Sequence, residues 1–265
     1  MVTGRWRDAD AARRRAAAAV AVLVVLLGGL SVASTLGDRG GRGAFPDRPN
    51  DAASSPLGKP AAVTGGADSD AYTFIATQPG DDREPVTYDP CAPIHVVVDP
   101  RTIVEGGMRL LDQALDQVSE ASGLTFVVDR VTDEPAPDDE TVRSPDGGWL
   151  PVTVTWSDPV ASPKLEGSIA GFAGSSSVER DGRRWFVTGT VVLDGPQLDE
   201  ILQTRRGRAS VRSVIQHELG HLVGLDHVDA PGQLMQPEGD ETLTRWGDGD
   251  RAGLAVLGSG PCIPY

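Results

Sequence analysis

The chain predicts an α+β domain behind an export segment, and three observations carry that reading. Runs rich in β-branched residues alternate with a stretch of helical spacing. The two cysteines stand at the two ends of the patterned region, and three of the four histidines fall within the eleven residues from His217 to His227.

At the N-terminus, Arg5, Arg7 and Arg13 to Arg15 precede an almost unbroken apolar run from Ala16 to Leu30 that continues more weakly to Gly37. Positive charge before such a run keeps that side in the cytoplasm, so the rest of the chain is expected outside it. Residues 1–37 read as a cleavable signal peptide, with Val32 and Ser34 as the small residues of a cleavage site. They read equally as a retained anchor, since with its weak end the run is about long enough to span a bilayer. Residues 38–70, rich in Gly, Pro, Ala, Ser and Asp and without periodicity, are expected to be a disordered linker. The domain is expected over 71–265, with order returning near "AYTFIATQPG", where Tyr72, Phe74 and Ile75 could dock on it.

Within the domain, Ile94 to Asp99 and Leu124 to Val131 are expected strands, and Met108, Leu111, Leu115 and Val118 recur at helical spacing between them. Pro151 to Trp156, the glycine-rich "GSIAGFAGSSS" and Arg183 to Gly195 supply three further strands, and a second long helix starts near Ser210. The formal charge of -14 leaves no Lys/Arg-rich groove to neutralise phosphates, which excludes nucleic acid as a partner. Cys91 and Cys262, an even pair in an exported chain, read as a disulfide tying the C-terminal tail to the first strand.

The run from His217 spells H-E-x-x-H-x-x-G-x-x-H and is followed by Met235 and Pro237. Helical residues advance about 100° each, so His217 and His221 lie about 40° apart on one flank while Val211, Ile215, Leu219 and Leu222 form the core stripe. Two imidazoles then converge on one point, and a catalytic zinc held there needs a third ligand and an open position. Glu218 points near the same place without having to be a ligand, which suits it to take a proton from water. Gly224 has no Cβ and can adopt the left-handed turn that reverses the chain and returns His227.

"HELGHLVGLDH" resembles the extended zinc signature of the metzincin peptidases, and "LMQP" around Met235 resembles the Met-turn of their matrixin branch. The resemblance runs over Val86 to Gly258, strongly from His217 onward and topologically before it. It implies a twisted, mostly parallel sheet of about five strands with an antiparallel edge strand, two long helices and a C-terminal helix. It further implies that His217, His221 and His227 hold one catalytic zinc, that Glu218 is the general base and Gly224 the turn glycine. Met235 would underlie the metal, and Pro237 would stand in the wall of the primed-side specificity pocket. Asp250, in "DRAGLAVLG", matches an aspartate that holds the Met-turn. A peptide or protein substrate is expected to add a strand to the edge formed by Gly171, Phe172, Ala173 and Gly174. The implied protein is an exported zinc endopeptidase, acting as a monomer, with the membrane as a further partner if residues 1–37 are retained.

Two departures limit that implication. His95 is the sole remaining histidine, too few for a second, structural zinc, and it reads as an ordinary strand residue. No cysteine precedes Cys91, so a latency cap on the zinc would have to be Cys91 itself, the alternative to its disulfide. Asp226 and Asp229 read as turn residues or as carboxylates that orient the ligand histidines. The acidic run Pro135 to Glu140 reads as a solvated loop, with calcium binding as the alternative. A function of another class is a non-catalytic, zinc-stabilised envelope binding module. Glu218 weighs against it, because a structural zinc needs no general base.

Overall fold

Valine-rich alternation builds the centre of a five-stranded sheet in the computed structural model, which describes residues 45–63, 66, 69–132, 142–240 and 242–265. Residues 1–37, expected as an export segment, and the acidic run at 135–140 lie outside the described residues. Among those described, no helix is long and apolar enough to cross a membrane.

Three short strands, β1 (Thr73–Phe74), β2 (Thr77–Gln78) and β3 (Asp81–Pro85), lead into β4 (Ile94–Asp99). Helix α1 (Gly107–Ser122), β5 (Phe126–Val131) and β6 (Val152–Ser157) follow. Next come the hairpin strands β7 (Gly171–Arg180) and β8 (Arg183–Asp194), then helices α2 (Gly195–Leu202) and α3 (Gly207–Val223). The two-residue β9 (Leu225–Asp226) and helix α4 (Asp248–Leu257) complete the described order. The main sheet runs β5-β4-β6-β8-β7, parallel throughout except for β7, which is antiparallel to β8 and forms an edge. This is the mostly parallel α+β arrangement expected from the sequence.

The core lies between one face of this sheet and helices α1 and α3. Val96, Val98, Val154, Val191 and Leu193 meet Leu111, Ala114 and Val118 of α1 and Val211, Ile215, Leu219 and Leu222 of α3, all fully or almost fully buried. Alternation along β4 sends His95 toward the opposite face. There its ring meets Asp129 of β5 through Nδ1 and Asp51 through Nε2, each at 2.8 Å.

Two expectations need correction. Residues 45–63 do not behave as a free linker: Ala53 N–H donates to the Cys91 carbonyl at 2.7 Å, Leu57 N–H to Pro90 at 2.9 Å and Ala61 N–H to Glu120 at 2.9 Å. Composition alone suggested a linker, but these backbone donors find carbonyl acceptors on the domain. The second long helix starts at Gly207 rather than near Ser210, and the short α2 precedes it. Asp194 caps α2 by accepting from Gln197 N–H at 2.9 Å, with a proline in its first turn, a start signal that "DGPQLDEIL" carries in full. The expected disulfide is present: Cys91 and Cys262 are bonded, S–S 2.02 Å, which leaves Cys91 no thiolate for the alternative role of a cap on a metal.

Candidate metal centre

Helix α3 carries His217, Glu218 and His221 on its last two turns, and Gly224 ends it at φ 121°. Backbone of that sign is open to glycine and strained for a residue with Cβ. A side chain there would also meet Leu257 at 2.9 Å and Phe186 at 3.3 Å. The reversal feeds β9 and brings His227 back over the helix.

The three imidazoles meet at their Nε2 atoms. His217 and His221 are 3.1 Å apart, His217 and His227 3.0 Å, and His221 and His227 3.2 Å. His217 Nδ1 faces the Leu234 carbonyl at 2.7 Å and His221 Nδ1 faces the Leu225 carbonyl at 2.8 Å. A carbonyl only accepts, so both Nδ1 atoms must be the protonated ones, and their Nε2 lone pairs point at a shared centre. Burial pushes the His217 ring well below the ordinary histidine range, helped by the two neighbouring rings. It pushes His221 down to about 3 and lowers His227 as well. Neutral imidazoles with converging lone pairs are what a cation requires. A tetrahedral zinc at ~2.0–2.1 Å from each nitrogen separates its ligands by about 3.4 Å, close to the spacing found here. The residues present fit that ion.

Glu218 is fully buried, and among the described residues neither of its carboxylate oxygens has a hydrogen-bond partner. Burial alone pushes its carboxyl up to about 8. Two orphaned carboxylate oxygens in a dry site are costly unless a ligand meets them.

Met235 is buried. A Cβ at Gly220 would stand 2.6 Å from its Sδ, so a bare helix position lets the methionine come close. Asp250 accepts from Leu234 N–H at 2.5 Å, Met235 N–H at 3.3 Å and Gly247 N–H at 2.8 Å, and so holds the turn in place. Gln233, which sequence reasoning missed, ties the same turn to α4 by accepting from Gly249 N–H at 2.9 Å and Asp250 N–H at 3.1 Å. No local pattern marks it. Its role depends on a contact sixteen residues away.

Asp226 accepts from the His227 N–H at 2.7 Å, whereas Asp229 is exposed. Beside His217 opens a cavity of about 50 Å³ walled by Ile201, Val214, Leu234 and Leu243, with Gln236 and Glu238 on its border. Pro237 lies between Gln236 and Glu238, which both line this cavity. Gly171, Phe172, Ala173 and Gly174 open the edge strand β7, and Gly171 backs directly on Glu218.

A mostly parallel sheet with one antiparallel edge and a helix bearing two of three convergent histidines is the arrangement that the metzincin resemblance implies. Residues 169–254, about a third of the chain, match the family model described as Peptidase_M10, Matrixin. No curated protein matches the chain. Among solved structures, the GM1-bound form of the ECX AB5 holotoxin is 12% identical with a TM-score of 0.44, over 74% of this chain and 92% of that one. Archaemetzincin from Methanopyrus kandleri is 15% identical with a TM-score of 0.37, over 60% of this chain and 92% of that one. Likenesses this slight carry no weight for chemistry.

Proposed function

We propose that the chain is an extracytoplasmic zinc-dependent endopeptidase in which His217, His221 and His227 hold the metal and Glu218 is the general base. The observation that carries this reading is the buried, unpartnered Glu218 carboxylate beside three converging imidazole nitrogens. A purely structural zinc site would close its fourth position with a protein ligand and would have no use for that carboxylate.

Zinc, when bound, supplies a Lewis acid that polarises the scissile carbonyl and acidifies water. Glu218 takes a proton from the attacking water, whose oxygen bonds to the carbonyl carbon. As the C–N bond breaks, Glu218 delivers that proton to the leaving amine. His217 and His221 keep their Nε2 atoms free because backbone carbonyls hold the protons on Nδ1. Substrate lies extended along the outer edge of β7 at Gly171 to Gly174, adding a strand, and one of its side chains enters the cavity beside His217. The basic-then-apolar residues 1–37 and the Cys91–Cys262 bond support export, with that segment either cleaved or kept as an anchor.

Turnover of a broad peptide library by the purified chain tests the reading. Internal cleavage that stops with a chelator and returns with zinc is the expected result. A zinc-loaded chain that cleaves nothing in the library would contradict it and favour the binding-module reading.

A further inference from the structure

The three histidines are not held alike. His217 and His221 are fixed twice, by helix α3 and by Nδ1 contacts to backbone carbonyls. Among the described residues the His227 ring has no such carbonyl partner, so its place depends on how its backbone is held. Inside the loop, Asp226 accepts from the His227 N–H at 2.7 Å and Val228 N–H donates to the Met235 carbonyl at 3.0 Å.

From outside the loop comes the N-terminal segment. Strand β1 pairs antiparallel with β9, Thr73 opposite Asp226 and Phe74 opposite Leu225. Ile75 N–H donates to the Gly224 carbonyl at 2.9 Å, and the Thr73 hydroxyl donates to the His227 carbonyl at 2.8 Å. These contacts grip the reversal at both ends, from the glycine that starts it to the histidine it delivers. Thr73 reaches 154 residues along the chain to do so.

We propose that Thr73 is a positioning residue for the metal centre: its hydroxyl holds the His227 backbone where the ring can complete the three-nitrogen set. The proposal rests on the zinc reading of the site. β1 is therefore a working part of that site, and its loss would leave two well-fixed nitrogens and one loose one. Valine matches threonine in shape and suits a strand, so Thr73→Val removes the hydrogen bond and little else. Thr73→Ser keeps the hydroxyl.

Equilibrium zinc competition against a chelator, on the full chain and both variants, measures the effect without any substrate. Loss of one hydrogen bond should weaken zinc binding in Thr73→Val by roughly three- to tenfold. Thr73→Ser should stay within about twofold of the parent, and the metal-free melting temperature of Thr73→Val should fall by no more than about 2–4 °C. If Thr73→Val holds zinc as tightly as the parent, or Thr73→Ser is as weak as Thr73→Val, the positioning role is wrong. A larger drop in metal-free stability also overturns it. A parent chain that binds no zinc sinks the zinc reading itself, a different outcome from the variants matching a zinc-binding parent.

Discussion

Gly171 is pressed against Glu218: a β-carbon at 171 would stand 3.0 Å from Glu218 Cγ, 3.2 Å from its Cδ and 3.0 Å from the Val192 carbonyl oxygen. The first residue of the edge strand therefore sets how far the carboxylate can swing, and the strand proposed to bind substrate also shapes the proposed base. Gly171→Ala should displace the carboxylate while leaving the histidines in place. Misplacing a reacting group by about 1 Å costs on the order of a hundredfold, so turnover should fall roughly ten- to a hundredfold. Zinc affinity should be unchanged. Kinetics beside chelator competition on the same preparation check this, and parental turnover in Gly171→Ala would show that Glu218 is not confined there.

Gly224 carries the reversal that delivers His227. Its φ of 121° strains any residue with Cβ, and Leu257 and Phe186 leave no room for one. Gly224→Val should destabilise the chain by about 1–3 kcal/mol from backbone strain. Like His227→Ala, it should weaken zinc binding at least about tenfold, which corresponds to ~1.4 kcal/mol. Denaturant unfolding and chelator competition read the two effects separately. Parental zinc affinity in both variants would mean that the third ligand lies elsewhere.

His95 links the N-terminal arm to the sheet. Burial works against its charge, but the Asp129 and Asp51 carboxylates outweigh that and raise its pKa above the ordinary value of 6.5. Asp47, Arg130 and Asp146 line the same groove. A histidine whose folded pKa is raised stabilises the fold fully below the unfolded value and loses that contribution as pH climbs through the raised one. The melting-temperature gap between parent and His95→Gln should therefore be largest near pH 5 and shrink steadily toward pH 9. A gap that does not change with pH would assign the histidine a packing role only.

What could be read from the sequence follows how local the code is. The histidine motif was legible because one helix and one turn set its spacing, and the fold brings its three Nε2 atoms together. The parallel strands showed as valine runs, and the disulfide as an even pair of cysteines at the two ends of the patterned region. The docking of residues 45–63, the β1–β9 pairing and the Gln233 tie were not legible, because each joins segments far apart in the chain by backbone contacts that no composition marks. Motif spacing places the backbone of a loop, but the direction of each side chain depends on how the loop packs.

The central claim, that Glu218 is the base of a zinc peptidase, is tested most directly by Glu218→Gln. The substitution keeps size and shape, leaves all three imidazoles, and removes only the ability to take a proton. Zinc content and peptide turnover should be measured on the same samples of parent and variant. The expected result is one zinc per chain in both, with turnover in the variant lower by about 10²–10⁴-fold. A zinc-loaded Glu218→Gln chain that cleaves peptides at the parental rate would contradict the account.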